Sequence, residues 1–303
     1  MAKRDYLSVA DLSMAEAEQL IQKAVKMKKG PWPQVLAGKT VTLLFEKPSL
    51  RTRLSFELAV HQLGGYCIYM SPDEVGLGKR ESVPDVAHVL SRYVQGIVAR
   101  TFSHHSLETL AEYAGVPVVN ALSDYEHPCQ AMADLVTIYE KKGKFKGLNL
   151  AYVGDGNNVA NSLLLACCMT GINFLIASPE KYSLQEPILL VANKFAEQRG
   201  SQIMLLEEPA MAVKDADVVY TDVWTSMGQE DESEERRIAF AEYQVDDRLL
   251  AYAKKDAIFM HPLPAHNGEE VAVGIIDRYR SVIFDQAENR LHFQRALLAD
   301  LFK

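Results

Sequence analysis

Ser49, Arg51, Thr52 and Arg53 follow directly on an apolar run, Thr40 to Phe45, and precede an amphipathic run over 54–63 that stops at Gly64-Gly65. The first run reads as a buried strand and the second as a helix, so two hydroxyls and two arginines fall where one becomes the other. Amide groups in a helix's first turn lack partners inside the helix, and the helix dipole adds positive potential there. Such a turn suits a phosphate or an oxyanion. Ser49 and Thr52 add hydroxyl donors, and Arg51 adds a planar fork that matches phosphate. The same residues also fit an ordinary helix cap with solvated arginines.

Other chemistry-bearing residues sit at comparable places. Arg100 closes an apolar run over 96–100. His127-Pro128-Cys129-Gln130 follows the run over 116–121 and opens a helix. Proline at the first helical position fixes the direction of the chain, and Gln130 lies one turn along from His127, so the two can hold a carbonyl oxygen and an amide. A lone histidine more often serves structure. Gly154-Asp155-Gly156-Asn157-Asn158 follows the run over 148–153, but Val159 stands near where a dinucleotide fingerprint needs its third glycine, and Ala177-Ser178 stands where it needs an acid. Asp222-Val223-Trp224-Thr225-Ser226-Met227-Gly228 follows the run over 217–221 and offers a carboxylate, a hydroxyl and backbone for an α-amino-acid head group. His261-Pro262-Leu263-Pro264 follows the run over 257–260, and its prolines impose an irregular backbone.

The elements that must position these residues alternate. Apolar runs at 40–45, 66–70, 96–100 and 116–121 are separated by helical patterns, and a helix over 128–142 extends as a connection toward 147. The alternation restarts with runs at 148–153, 172–177, 202–206, 217–221 and 257–260 and ends in a helix over 285–302. Ser13 to Glu16 forms a capping box for a helix running to Gly30, and the acidic stretch Gln229 to Glu235 reads as a solvated loop. Strands alternating with helices imply parallel sheets. The expectation is two α/β domains, each a parallel sheet flanked by helices: 1–147 with the C-terminal helix 285–303 packed back on it, and 148–284. Ligands of such sheets bind beyond the carboxyl ends of the strands, where every cluster above lies.

The 303 residues carry a net charge of −8, are 48% hydrophobic and 24% charged, and argue against a nucleic-acid binder. The four cysteines, Cys67, Cys129, Cys167 and Cys168, form no CxxC pair, so no zinc site is expected. No apolar stretch approaches the roughly 20 residues of a membrane span. A reduced, cytoplasmic protein is expected.

From about residue 5 to 302, these motifs and their order resemble the aspartate/ornithine carbamoyltransferase superfamily. The Ser49 to Arg53 stretch is similar to its Ser-Thr-Arg-Thr-Arg signature, with Leu50 where the family has threonine. His127 to Gln130 resembles its His-Pro-x-Gln. Asp222 to Gly228 resembles the Ser-Met-Gly loop of the ornithine branch. The resemblance implies transfer of a carbamoyl group from carbamoyl phosphate to the δ-amine of L-ornithine, without a metal or organic cofactor. It implies catalytic roles for Arg51, Arg100, His127 and Pro262. Carbamoyl phosphate would further touch Ser49, Leu50, Thr52, Gly76, Pro128, Cys129, Gln130, Leu263 and Arg290. Ornithine would be held by Asn158, Asp222, Ser226 and Met227. A homotrimer, or a multiple of trimers, is implied, each site completed by the neighbour's loop, Ser71 to Ser82.

Two positions depart from that pattern. Pro262 stands where ornithine enzymes carry cysteine and aspartate enzymes carry proline. Gly76 stands about where many members carry glutamine, which leaves Lys79, Arg80 or no residue in its place. Aspartate remains an alternative acceptor, favoured by His261 to Pro264 and opposed by the Ser226-Met227-Gly228 loop; putrescine and an acylated ornithine are others, against which Asp222 favours a free α-ammonium. From other classes, a nucleotide-dependent oxidoreductase lacks its fingerprint, and a non-catalytic metabolite-binding regulator would not need so many anion-facing arginines.

Overall fold

Each of the nine apolar runs forms a strand, and all the pairings between these strands are parallel. The structure is a computed structural model and describes residues 3–78, 80–278 and 281–303. The chain divides into two units, Met1–Val136 with Glu288–Lys303, and Thr137–Ala287.

The first unit contains α1 (Met14–Lys26), β1 (Thr40–Phe45), α2 (Leu50–Gln62), β2 (Tyr66–Met70), α3 (Pro72–Val75), α4 (Val83–Tyr93), β3 (Gly96–Arg100), α5 (His104–Tyr113), β4 (Val118–Leu122) and the start of α6 (Pro128–Lys142). Its sheet order is β2-β1-β3-β4. The second unit contains β5 (Asn149–Val153), α7 (Asn158–Thr170), β6 (Asn173–Ala177), α8 (Glu186–Arg199), β7 (Ile203–Leu206), α9 (Pro209–Val213), β8 (Val218–Thr221), α10 (Ser233–Ala239), α11 (Asp247–Leu250), β9 (Ile258–Met260) and the start of α12 (Ile283–Leu301). Its sheet order is β7-β6-β5-β8-β9.

The runs read as strands because central parallel strands are buried on both faces and so are apolar throughout. Every residue of β3 and β8 is buried, whereas the edge strands β2 and β7 are partly exposed. Leu44, Leu90, Ile97, Leu107 and Leu110 share one core in the first unit, and Val153, Val219, Trp224, Phe240 and Phe259 share one in the second. The last residues of α12 belong to the first unit, where Phe293 packs on Tyr6 with ring centroids 6.4 Å apart.

Most element limits agree with the sequence reading to within two residues, and three assignments differ by more. Helix α2 begins at Leu50, four residues before its apolar pattern, because Ser49 caps it and accepts from the Thr52 amide at 3.3 Å. Helix α1 stops at Lys26, short of Gly30. The acidic stretch expected to be a loop instead forms a 3-10 turn, Glu230–Glu232, and opens α10.

Both sheets reverse their strand order once. The first switch lies between β1 and β3, where Phe45 pairs with Arg100; the second lies between β5 and β8, where Val153 pairs with Thr221. Open sheets bind ligands at such points. At the second, Gly156 explains the glycine pattern that imitates a nucleotide fingerprint. A Cβ there would lie 2.7 Å from the Ser183 carbonyl carbon and 2.8 Å from the Tyr182 carbonyl oxygen, both backbone atoms. Glycine is needed for chain to pass chain. Gly156→Ala is expected to destabilise the protein by about 1–3 kcal/mol, the range for overpacking, read from urea unfolding. An unchanged midpoint would mean that the 182–184 segment gives way freely.

Candidate active site

In the first unit, the turn after β1 and the end of β3 are bound together. The Glu46 amide donates to the Arg100 carbonyl at 2.8 Å, and Glu46 Oε2 accepts from the Phe102 amide at 3.0 Å. The register between β3 and β4 shifts between Ala99 and Arg100. Such bulges re-aim a side chain beside a site. Arg51 and Thr52 lie in the first turn of α2 behind the Ser49 cap. Ser49 Oγ donates to Thr52 Oγ1 at 3.0 Å, and Arg290, arriving on α12, donates to the same oxygen at 2.6 Å.

Three guanidinium groups and an imidazole therefore share one region. Burial, and after it the neighbouring Arg290 and Arg51, together push Arg100 down to about 9. Burial lowers Arg51 too. His127 is driven well below the usual histidine range, first by burial and then by Arg290, Arg100 and Arg51. It is neutral at pH 7. The Nε atoms of Arg51 and Arg100 are buried without a hydrogen-bond partner among the described residues. Buried charges of one sign are costly unless an opposite charge joins them, so this region is built for an anion.

Gln130 is oriented by a residue the sequence reading did not name. Its Nε2 donates to Asp134 Oδ1 at 2.8 Å, one turn along α6. A carboxylate only accepts, so the amide group must face Asp134 and Oε1 must face elsewhere. That Oε1 is buried without a partner among the described residues. Gln130 thus presents an acceptor beside a neutral histidine.

In the second unit, Asn157 caps α7: its Oδ1 accepts from the Val159 amide at 2.9 Å and the Ala160 amide at 3.1 Å. Its Nδ2 donates to Asp222 Oδ2 at 2.9 Å. Asn158 is the first residue of the helix and is partly buried. Asp222 is 6% exposed, and burial raises it above the usual carboxylate range, against the lowering effect of the hydrogen bonds from Asn157 and the Val223 amide. Desolvation opposes an unpaired charge, and a cation brought alongside would restore it.

The loop after Asp222 is fastened by Arg236 on α10. Its Nη1 donates to Asp155 Oδ2 at 2.9 Å and to the Trp224 carbonyl at 3.0 Å, its Nε donates to Glu232 at 3.0 Å, and its guanidinium lies 4.8 Å from the Tyr182 ring centroid. Asp155 is nonetheless pushed up to about 6 by burial. The Ser226 amide donates to Gln229 Oε1 at 3.1 Å, and Met227 at the tip is 47% exposed. After β9, Leu263 adopts φ +59°, a left-handed conformation that costs a non-glycine residue about 1–2 kcal/mol.

The structure brings the expected residues into two groups, one per unit. Ser49, Arg51, Thr52, Arg100, His127, Gln130 and Arg290 form the first, and Asp222, Ser226, Met227, Asn158, Pro262 and Leu263 belong to the second unit. Some can offer only main chain. The Leu50 side chain is 78% exposed, and Cys129 is fully buried with its thiol donating to the Asn120 carbonyl at 3.5 Å. Gly76 is the left-handed cap of α3, where a Cβ would lie 3.1 Å from the Arg80 Cβ. Arg80 is exposed, and Lys79 lies outside the described residues. Asp134, Asp155, Asn157 and Arg236 were not read as site residues. For metal, His266, Glu269 and Glu270 hold ligand atoms within 4.8 Å of one another, but Glu270 already accepts from the His266 amide at 2.5 Å.

Two family models match the chain: the carbamoyl-P binding domain of aspartate/ornithine carbamoyltransferases over residues 4–140, and the Asp/Orn binding domain over 146–301. The ornithine carbamoyltransferase of Thermococcus kodakarensis is 52% identical over 99% of this chain and 96% of its own. The anabolic ornithine carbamoyltransferase of Pyrococcus furiosus is 49% identical over the same shares. The solved structure of the Pyrococcus furiosus ornithine carbamoyltransferase has a TM-score of 0.94 at 49% identity, covering 98% of this chain and 96% of that one. That of the anabolic enzyme of Campylobacter jejuni has a TM-score of 0.94 at 38% identity, covering 98% of each.

Inorganic phosphate is expected to raise the thermal unfolding midpoint, since a ligand at about 100 times its Kd adds about 2.7 kcal/mol to the native state. Arg100→Met should abolish that rise, while its own phosphate-free midpoint should be no lower, because a desolvated charge has been removed. A phosphate-induced rise of equal size in the variant would show that the arginine cluster is not the anion site.

Proposed function

The chain belongs to the aspartate/ornithine carbamoyltransferase family, and within it to the ornithine carbamoyltransferases; from that premise we propose how its residues share the transfer of a carbamoyl group from carbamoyl phosphate to the δ-amine of L-ornithine. The observation that carries the assignment of roles is the clustering of Arg51, Arg100 and Arg290 around a neutral His127.

The phosphate group takes the first turn of α2: the amides, including that of Leu50, the Ser49 and Thr52 hydroxyls, and Arg51, with Arg290 behind Thr52. Arg100 and His127 donate to the carbamoyl oxygen. A neutral imidazole donates one N–H without adding charge, and the amide groups of Pro128–Gln130 shape the same wall. Gln130 Oε1 and the Pro262 and Leu263 carbonyls accept from the carbamoyl NH2. Asp222 takes the α-ammonium of ornithine, with Asn158, Ser226 and Met227 around the rest of the head group.

In the reaction, the neutral δ-amine forms a bond to the carbamoyl carbon, negative charge gathers on the carbamoyl oxygen, and the bond to the phosphate oxygen breaks. Arg51, Thr52, Arg100 and His127 stabilise that oxyanion by preorganised charge. The proton released by the amine goes to the departing phosphate. Positioning supplies much of the rest of the rate. The biosynthetic direction is favoured by the relatives titled anabolic.

A homotrimer in the cytoplasm is part of this reading. No helix among the described residues is long and apolar enough to cross a membrane. Leu50, Leu54 and Leu58 recur every four residues on the exposed side of α2, and Tyr66 and Ile68 are 70% and 45% exposed on the edge strand β2. A contiguous apolar face beside an open sheet edge calls for cover, here by a second copy. Equilibrium sedimentation should give three chains, and a fully active monomer would refute the assembly.

Citrulline formation should strongly prefer L-ornithine over L-aspartate and putrescine run in parallel, and a preference for aspartate would refute the acceptor assignment. Asp222→Asn should raise the KM for ornithine about 10- to 100-fold, the scale of a lost charged hydrogen bond, with the KM for carbamoyl phosphate little changed. Because burial raises the Asp222 pKa, ornithine affinity should fall as pH drops through that raised value. This acid limb should be missing from Asp222→Asn.

A further inference from the structure

Resting on the reading above, we propose that His261 is a positioning residue for the transfer reaction, setting the backbone of Pro262 and Leu263 through a neutral imidazole whose tautomer Glu270 fixes. The prolines at 262 and 264 have no amide hydrogen, so Leu263 supplies the single N–H of that stretch. That N–H donates to His261 Nδ1 at 2.9 Å. An Nδ1 that accepts carries no proton, so the proton of the ring is on Nε2. There it faces Glu270 Oε1 at 3.2 Å.

Both side chains of this pair are fully buried. Glu270 is held by the His266 amide, and the His261 amide donates to Gln286 Oε1 at 2.9 Å, with Gln286 Nε2 donating to the Tyr220 hydroxyl at 3.2 Å. His261 is thus fixed at both ends, and its one free lone pair holds the residue that sits at φ +59°. The direction of the Pro262 and Leu263 carbonyls follows from that bond. A buried ion pair kept for stability alone would need only the Nε2 contact.

Asparagine and glutamine separate these roles. His261→Asn places an oxygen near the Nδ1 position, while His261→Gln places its amide near the Nε2 position. We expect His261→Gln to lose kcat about 30- to 100-fold, the scale of a misplaced reacting group, with a thermal midpoint at least as high as that of His261→Asn. His261→Asn should keep more of kcat despite losing the Glu270 contact, and the KM for ornithine should move less than kcat in both. Glu270→Gln, whose side-chain carbonyl still accepts from Nε2, should fall less than His261→Gln. Equal kcat losses in the two His261 variants, or a Glu270→Gln loss exceeding that of His261→Gln, would overturn the proposal while leaving the transferase reading intact. An unaltered chain that forms no citrulline would overturn that reading and this inference with it.

Discussion

Positive charge gathered out of water is the constraint on which the first unit depends. Arg100 is 7% exposed and Arg290 3%, and each raises the cost of keeping the other charged. Moving such a group into the interior costs several kcal/mol after relaxation. The neighbouring elements oppose that cost. The Ser49 cap sets the start of α2, Glu46 binds the turn after β1 to the end of β3, and the return of α12 delivers Arg290 to Thr52. In the proposed reading the charge that relieves this cost is the substrate's, which would prepare much of the binding energy for the dianion before it arrives. His127 shows the other consequence of the same field. Among three guanidinium groups and buried, it is driven toward the neutral form, which suits the proposed role of hydrogen-bond donor rather than general acid.

The second unit has the same architecture with the opposite sign. Asp155, Asp222 and Glu270 are buried carboxylates, and Asp155 and Asp222 are raised by desolvation. Arg236 satisfies Asp155 internally, whereas among the described residues the hydrogen-bond partners of Asp222 are the neutral donors Asn157 and the Val223 amide. That contrast is what supports the proposed use of Asp222, rather than Asp155, for a cationic head group. Each group lies at the single strand-order reversal of its sheet, so topology sets the place and the side chains set the sign of the ligand.

Much of this is legible in the sequence because it is local. Continuous apolar runs give parallel strands, and Ser49, Thr52, Arg100, His127 and Asp222 stand out because they follow those runs, but position alone leaves an ordinary cap or a structural histidine open, and the family resemblance supplies the roles. What escapes is set by partners distant in sequence. Asn157 bonds Asp222 across 65 residues, and Arg236 bonds Asp155 across 81. Arg236 also lies at the end of an acidic stretch whose composition suggests solvent. Asp134 is near Gln130, but its importance depends on burial, which composition does not give. Gly156 misleads in the reverse sense: a glycine that serves close packing imitates one that serves phosphate.

The net charge of −8 poses a last question: how a negatively charged protein captures a dianion. Screening answers it. At physiological salt the Debye length is about 8 Å, so scattered surface carboxylates lose their reach over short distances, while buried pairs are screened far less. In the proposed reading an approaching phosphate would therefore respond to Arg51, Arg100 and the first turn of α2 rather than to the sum over the chain. Lowering the salt would restore the reach of the acidic surface and should oppose, not assist, encounter. The sign of that salt dependence follows from where the charges lie, not from their total.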